Sequence, residues 1–179
     1  MIVMKFGGTS VGSAERIRDV ARLVKSYQKS QPVVVTSAMT QVTKQLEEMA
    51  RLAIVGNRKR LIAAKLNALK KVHDEAITGL ALEPSAEADL REIISSKITI
   101  LGNILKSVTA LGELTPRGRD LILSFGERLS IHLVAAALNR EGVSAVAVNA
   151  TDFLVTDDTF NDAQPLLAPS KKKAQKLLV

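Results

Sequence analysis

The chain has 179 residues, a formal net charge of +7, no cysteine and two histidines. That length buries one sizeable core and requires no second independent unit. Disulfides, thiolate catalysis and cysteine-ligated metals are excluded, and His73 with His132 alone leaves little for a histidine metal centre.

Residues 1–6 read as an apolar strand that carries Lys5 near its carboxyl end and runs into Gly7-Gly8, then Thr9 and Ser10. Paired glycines let backbone N–H groups approach an anion, and a helix starting near Ala14 adds oriented donors. Lys5 adds a full charge. Neither a Walker A spacing nor a dinucleotide fingerprint is present, so the pattern points to phosphate handling by another loop. The alternative is a tight turn after a first strand, against which stands the cost of a lysine set among Ile2, Val3, Met4 and Phe6 without an anionic partner.

Apolar residues at Ile17, Val20, Ala21, Val24 and Tyr27 predict a helix over 14–29, and Val33-Val34-Val35 after Pro32 predicts a second strand. The result is a βαβ unit whose β-branched second strand suits a parallel sheet covered on both faces. Thr36, Ser37 and Thr40 follow at the carboxyl end, where open α/β sheets place ligands, or else they cap the next helix.

From 42 to 114 helix formers dominate, and three helices fit with breaks near Gly56-Asn57 and Glu83-Pro84-Ser85. The last helix places Leu90, Ile93, Ile94, Ile98, Leu101 and Leu105 on one side. This stretch is too long for an ordinary crossover and is expected to form a helical region beside the sheet. His73 lies among Lys70, Lys71 and Asp74, which reads as surface.

After Thr115-Pro116 comes a helix containing Ser124-Phe125-Gly126-Glu127-Arg128-Leu129-Ser130 and leading to Asn139 and a Gly142 cap. Glu127 is expected near the interior or a cleft, with a local ion pair to Arg128 as the simpler alternative. His132 reads as a helix-surface or packing residue. Residues 143–148 predict a third strand followed by a polar loop, and a short lysine-rich helix follows Pro165 and Pro169. The lysines at 171, 172, 173 and 176 read as a solvated face. The apolar ending Leu177-Leu178-Val179 suggests a chain that continues in longer relatives.

The positive balance favours anionic ligands in general. One tyrosine, four phenylalanines and no tryptophan offer few stacking platforms, so no nucleic acid is expected. With no long uncharged apolar run and no leader-like start, no membrane association is expected either, and the cytoplasm is the default location.

Lys5-Phe6-Gly7-Gly8-Thr9-Ser10-Val11, Ser37-Ala38, Thr43 and the 124–130 helix together resemble aspartate kinases of the amino acid kinase superfamily. Thr156-Asp157-Asp158-Thr159-Phe160 and Ala163-Gln164-Pro165 are similar to the segment closing that family's first half. The resemblance covers essentially the whole chain as a single N-terminal, substrate-side lobe, 1–179, without the family's nucleotide lobe or regulatory ACT domains. It implies an α/β fold, a parallel-rich sheet sandwiched by helices, with the helical region of about 42–114 inserted.

The resemblance further implies ATP-dependent phosphorylation of the L-aspartate side-chain carboxylate, with Mg2+ carried by the nucleotide. Lys5 would be catalytic; Lys5, Phe6, Gly7, Gly8, Thr9, Ser10 and Ser37 would bind ATP phosphates; Thr43 and Glu127 would bind aspartate, Glu127 receiving its ammonium group. A homo-oligomer, or association with the missing catalytic half, is implied as well. Gln41 and Asn161 stand where the family commonly has glycine, and Lys44 stands for asparagine, so substrate recognition is where this chain departs. A non-catalytic binding homologue, or an amino acid kinase with another acceptor, are the alternative readings.

Overall fold

A computed structural model describes residues 1–178. Its elements in chain order are β1 (Ile2–Phe6), α1 (Ala14–Ser26), β2 (Pro32–Thr36), α2 (Val42–Val55), α3 (Lys59–Leu80), α4 (Pro84–Leu111), α5 (Pro116–Arg140), α6 (Ala150–Phe153) and α7 (Leu167–Leu178). Val179, the last residue of the apolar ending, lies outside the described residues. The three helices expected over 42–114 are α2, α3 and α4, broken where Gly56 and Asn57 adopt positive φ and where Pro84 opens the next helix. Both breaks follow from backbone chemistry, since a left-handed residue and a proline each end helical hydrogen bonding.

β1 and β2 pair in parallel, Ile2 opposite Pro32 through Phe6 opposite Thr36. Strand period places Ile2, Met4, Phe6, Val34 and Thr36 on one face and Val3, Lys5, Val33 and Val35 on the other. The first face packs on the core through Met4, Phe6 and Val34. The second leaves Val3 63% and Val35 44% exposed among the described residues. The expected cover on both faces is therefore supplied on one side by this chain.

α5 is the axis of the core. It packs against α1, α2, α3, α4 and β2, and Ile122, Phe125, Leu129 and Leu133 are fully buried along it. This helix is long and apolar enough to cross a membrane, with half of its most apolar window buried inside the fold. Its apolarity has a local explanation, because a helix surrounded by partners on most sides must be apolar on most sides.

Three sequence expectations are corrected. Residues 143–148 form no strand: Ala145 spends its N–H and C=O on the Asn139 side chain at 3.0 and 2.9 Å, and Val143 donates to the Leu138 carbonyl. A strand exists only with a partner, and those backbone groups are already taken. His73 is fully buried, not on the surface, because it shares the stripe of Leu69, Ile77 and Leu80 on α3; its Nδ1 meets the Leu69 carbonyl at 2.8 Å. Ile93 and Tyr27 lie at the margins of their stripes and stay 39% and 45% exposed.

His132 is half-buried on α5, and its Nε2 has no hydrogen-bond partner among the described residues. Burial first, then the charge of Lys97, pushes its pKa from 6.5 to about 4. Burial lowers His73 as well. A folded pKa below the unfolded one means that the unfolded chain takes the proton first, so stability is complete above pH 6.5 and declines toward pH 4. The expected loss from His132 is roughly 2 to 3 kcal/mol after allowing for its partial solvent contact. Urea unfolding followed by circular dichroism across that window should show a flatter profile for His132→Gln than for the wild type.

Candidate active site

The parallel pair β1 and β2 delivers two loops to one edge. Ser37 N–H donates to the Phe6 carbonyl at 3.0 Å, extending the ladder one step beyond the strands. The first loop, 7–13, turns back with Ser10 N–H on the Gly7 carbonyl at 2.9 Å, and Ser13 caps α1 by accepting from Arg16 N–H. The second loop, 37–41, leads into α2, where Val42 N–H donates to the Met39 carbonyl.

These loops touch. A Cβ on Gly8 would stand 2.8 Å from the Ala38 carbonyl oxygen, and one on Gly12 would collide with the Thr40 hydroxyl. Thr40 Oγ1 donates to the Gly8 carbonyl at 3.0 Å. Thr40 thus joins the two loops and does not cap α2, whose cap position is Gln41 without a side-chain bond. Gly7 differs from Gly8, since nothing lies within 4 Å of where its Cβ would be. Among the described residues the N–H groups of Gly8 and Thr9 meet no acceptor. An open glycine, free amides and the exposed Lys5 two residues before Gly7 form a cradle whose donors suit a phosphate.

α5 supplies the other wall. Gly126 is required here for close approach, as its Cβ would meet the Ala38 Cβ at 2.6 Å. One residue on, Glu127 Oε1 accepts from Ala38 N–H at 3.2 Å; one helical turn on, Ser130 Oγ donates to the Ser37 carbonyl at 2.7 Å. Of the interior or cleft position expected for Glu127, the interior is ruled out: the residue is exposed at the edge where the 37–41 loop meets α5. Its alternative as a local ion pair fails, because the Arg128 guanidinium lies over the Phe125 ring, 4.7 Å from the centroid. Thr43 is exposed in the first turn of α2, three residues past Thr40, and makes no hydrogen bond to the other members.

The structure therefore gathers Lys5, Phe6, Gly7, Gly8, Thr9, Ser10, Ser37 and Glu127 around one edge, with Thr43 adjacent along the chain. Sequence reasoning underweighted Thr40 and Ser130 as ties between elements. The signal for Ser130 was its spacing of three from Glu127, which puts both on one face of α5. No group of three or more Asp, Glu or His side chains gathers to hold a cation among the described residues.

The chain matches the amino acid kinase family over residues 1–178. It belongs to that family. It is 37% identical over 164 residues to aspartokinase 1, chloroplastic, of Arabidopsis thaliana, covering 89% of this chain and 27% of that one. It is 36% identical over 178 residues to aspartokinase 3 of the same plant, covering 98% and 31%. The crystal structure of E. coli aspartokinase III in complex with aspartate and ADP superposes with a TM-score of 0.86 at 25% identity, covering 100% of this chain and 38% of that one. The chain thus spans about a third of the length of these relatives and represents the family's helix-rich α/β fold with a small parallel sheet.

Gln41 and Asn161, the two positions where the resemblance leads one to expect glycine, both adopt left-handed φ, 68° and 72°. The backbone keeps the glycine conformation, and the side chain at Gln41 carries strain that Asn tolerates better. Lys44 faces solvent.

Gly8→Ala should cost about 1 to 3 kcal/mol, because its Cβ meets backbone that cannot yield, whereas Gly7→Ala should be near neutral. Gln41→Gly should raise stability by about 1 kcal/mol through relief of the left-handed side chain. Chemical denaturation of the three variants alongside the wild type checks both expectations.

Proposed function

We propose that this chain is the substrate-side half of an aspartate kinase, which transfers the γ-phosphoryl group of ATP to the side-chain carboxylate of L-aspartate. The observation that carries the reading is the hydrogen bond from Ala38 N–H to Glu127, which joins an exposed carboxylate to the rim of the Lys5 and Gly7-Gly8 cradle. Support comes from relatives named aspartokinase and from the E. coli structure that holds aspartate and ADP.

In this reading Lys5 neutralises charge on the transferring phosphoryl group, while Gly7, Gly8, Thr9, Ser10 and Ser37 present backbone and hydroxyl donors to the ATP phosphates, with Phe6 holding the loop at the strand end. Glu127 receives the ammonium of aspartate, and Thr43 binds the same substrate. The carboxylate oxygen of aspartate forms the new P–O bond as the bond to ADP breaks, and ADP leaves with the electron pair. Phosphoryl transfer of this kind depends on positioning and charge neutralisation, and an acceptor already ionised at neutral pH needs no base. Mg2+ arrives with the nucleotide. The product, aspartyl phosphate, opens lysine, threonine and methionine biosynthesis in the cytoplasm.

The open sheet face that bears Val3, Val35 and Lys5 fits a chain completed by the family's second half, either in one polypeptide or by association, with a homo-oligomer as the working assembly. Alone, the 179 residues are expected to bind ATP weakly and turn over negligibly. The left-handed Gln41 and Asn161 preserve the loop shape of a glycine and favour a working substrate loop over a non-catalytic homologue.

In the complete polypeptide Lys5→Ala should lower kcat by about 100- to 1000-fold with folding intact, since Lys5 is exposed and holds no core contact. Glu127→Gln retains an oxygen for Ala38 N–H but loses the charge, so it should raise the KM for aspartate about tenfold or more and leave that for ATP nearly unchanged. A coupled assay of ADP release under both substrate titrations reads these numbers; equal effects on the two KM values would make Glu127 a structural residue.

A further inference from the structure

Away from the cradle, the segment 154–170 folds into a small hairpin and seats on the start of α5. Asp157 shapes it by accepting from Gln164 N–H at 3.0 Å and Thr159 N–H at 3.1 Å, and Thr156 bridges Pro165. Phe160 lies under the Arg117 guanidinium, 5.8 Å from the ring centroid. At the tip, Asn161 takes its left-handed turn and is held twice: its N–H donates to Asp120 Oδ2 at 2.7 Å, and its Oδ1 accepts from Arg119 Nη1 at 2.9 Å. The other branch of the same guanidinium, Nη2, reaches Glu47 on α2 at 2.7 Å.

Arg119 therefore ties two elements, α2 and the hairpin, to its own helix with one rigid fork. Glu47 is four residues after Thr43, hence one turn further along the same face of α2, and Arg119 is eight residues before Glu127 on α5. α2 and α5 also meet where Gly126 approaches Ala38, Val42 and Leu46. Two pins, one at Gly126 and one at Arg119, fix the angle between the helices that carry Thr43 and Glu127. α3 and α4 also pack on α2, so removing the second pin loosens the α2 and α5 angle near Glu47 without releasing the helix.

We propose that Arg119 is a positioning residue for the acceptor substrate, which locks the 156–165 hairpin and α2 onto α5 and so sets the separation of Thr43 from Glu127. The proposal rests on the acceptor reading given above. Arg119 also holds the Glu47 carboxyl below its usual range, ahead of the nearby charge of Arg51, so this link stays ionised through the neutral range. Asn161 in place of glycine then has a role: its side chain is the acceptor that a glycine lacks, at a φ that Asn accepts with little strain. A planar guanidinium is needed because lysine can satisfy Glu47 or Asn161 but not both in fixed geometry.

The test uses the complete polypeptide and four proteins: wild type, Arg119→Ala, Arg119→Lys and Asn161→Gly. Arg119→Ala should raise the KM for aspartate about tenfold, with kcat and the KM for ATP within about twofold. Arg119→Lys should recover part of that loss. Asn161→Gly should raise the same KM about threefold without lowering the thermal midpoint, a split that a purely structural contact would not produce. An aspartate KM within twofold of wild type in both Arg119→Ala and Asn161→Gly overturns the proposal; if Arg119→Ala does not fold, Asn161→Gly decides it. Absence of aspartate-dependent ADP release in the wild type would remove the acceptor reading instead. Hydrogen exchange then judges the clamp itself: faster exchange of the 156–165 amides in Asn161→Gly upholds the lock, and unchanged exchange overturns it.

Discussion

The arrangement depends on the seating of two backbone units, Ser37 and Ala38, against one face of α5. Glu127 accepts the Ala38 N–H, Ser130 donates to the Ser37 carbonyl, and Gly126 leaves the room that lets the loop come this close. The loop is in turn hydrogen-bonded to the end of β1 and to Gly8 through Thr40. A change in any of these contacts moves the Gly7-Gly8 loop relative to the carboxylate of Glu127. For the proposed phosphoryl transfer, where a displacement of an ångström can cost two orders of magnitude in rate, that coupling is the part of the fold closest to function.

The rest of the molecule serves this seating. α5 is apolar on most sides because it is the element against which α1, α2, α3, α4 and β2 all pack. The helical region is thus more than an appendage to the sheet, since α2 starts at the rim of the cradle and α4 closes the core behind α5. At the opposite end of the α2 and α5 contact, Arg119 links Glu47 to Asn161 and draws in the hairpin that follows α6. The same hairpin carries the Thr156 to Phe160 segment whose likeness to the family was visible from the residues, and the fold gives that likeness a physical place.

Much of this was legible in advance because it rests on local chemistry. The apolar stripe of α1, the breaks at Gly56 and Pro84, and the strand, glycine pair and helix of the first loop each follow from period, φ preference or a missing N–H. The failures share one cause. Residues 143–148 have the composition of a strand, yet Asn139 takes the backbone groups of Ala145; His73 sits among charged neighbours in sequence, yet helical period turns it inward with Leu69 and Ile77. Glu127 was expected near the interior or a cleft, and it stands at the open loop edge because its helix is buried on the neighbouring faces and open on this one.

The sequence by itself determined which residues could form helices and parallel strands, where the chain must turn, and which side chains had the charge and hydroxyl chemistry for a phosphate, because these are properties of a residue and its near neighbours. It also displayed the family likeness through ordered motifs. Only the tertiary structure decided which glycine of the pair has no room for a side chain, Gly8 with backbone against it and not Gly7 in open space, and which partner Glu127 takes, Ala38 and not Arg128. Those outcomes depend on atoms brought together from distant parts of the chain. No local preference encodes such distances; they are set by how the helices pack around α5.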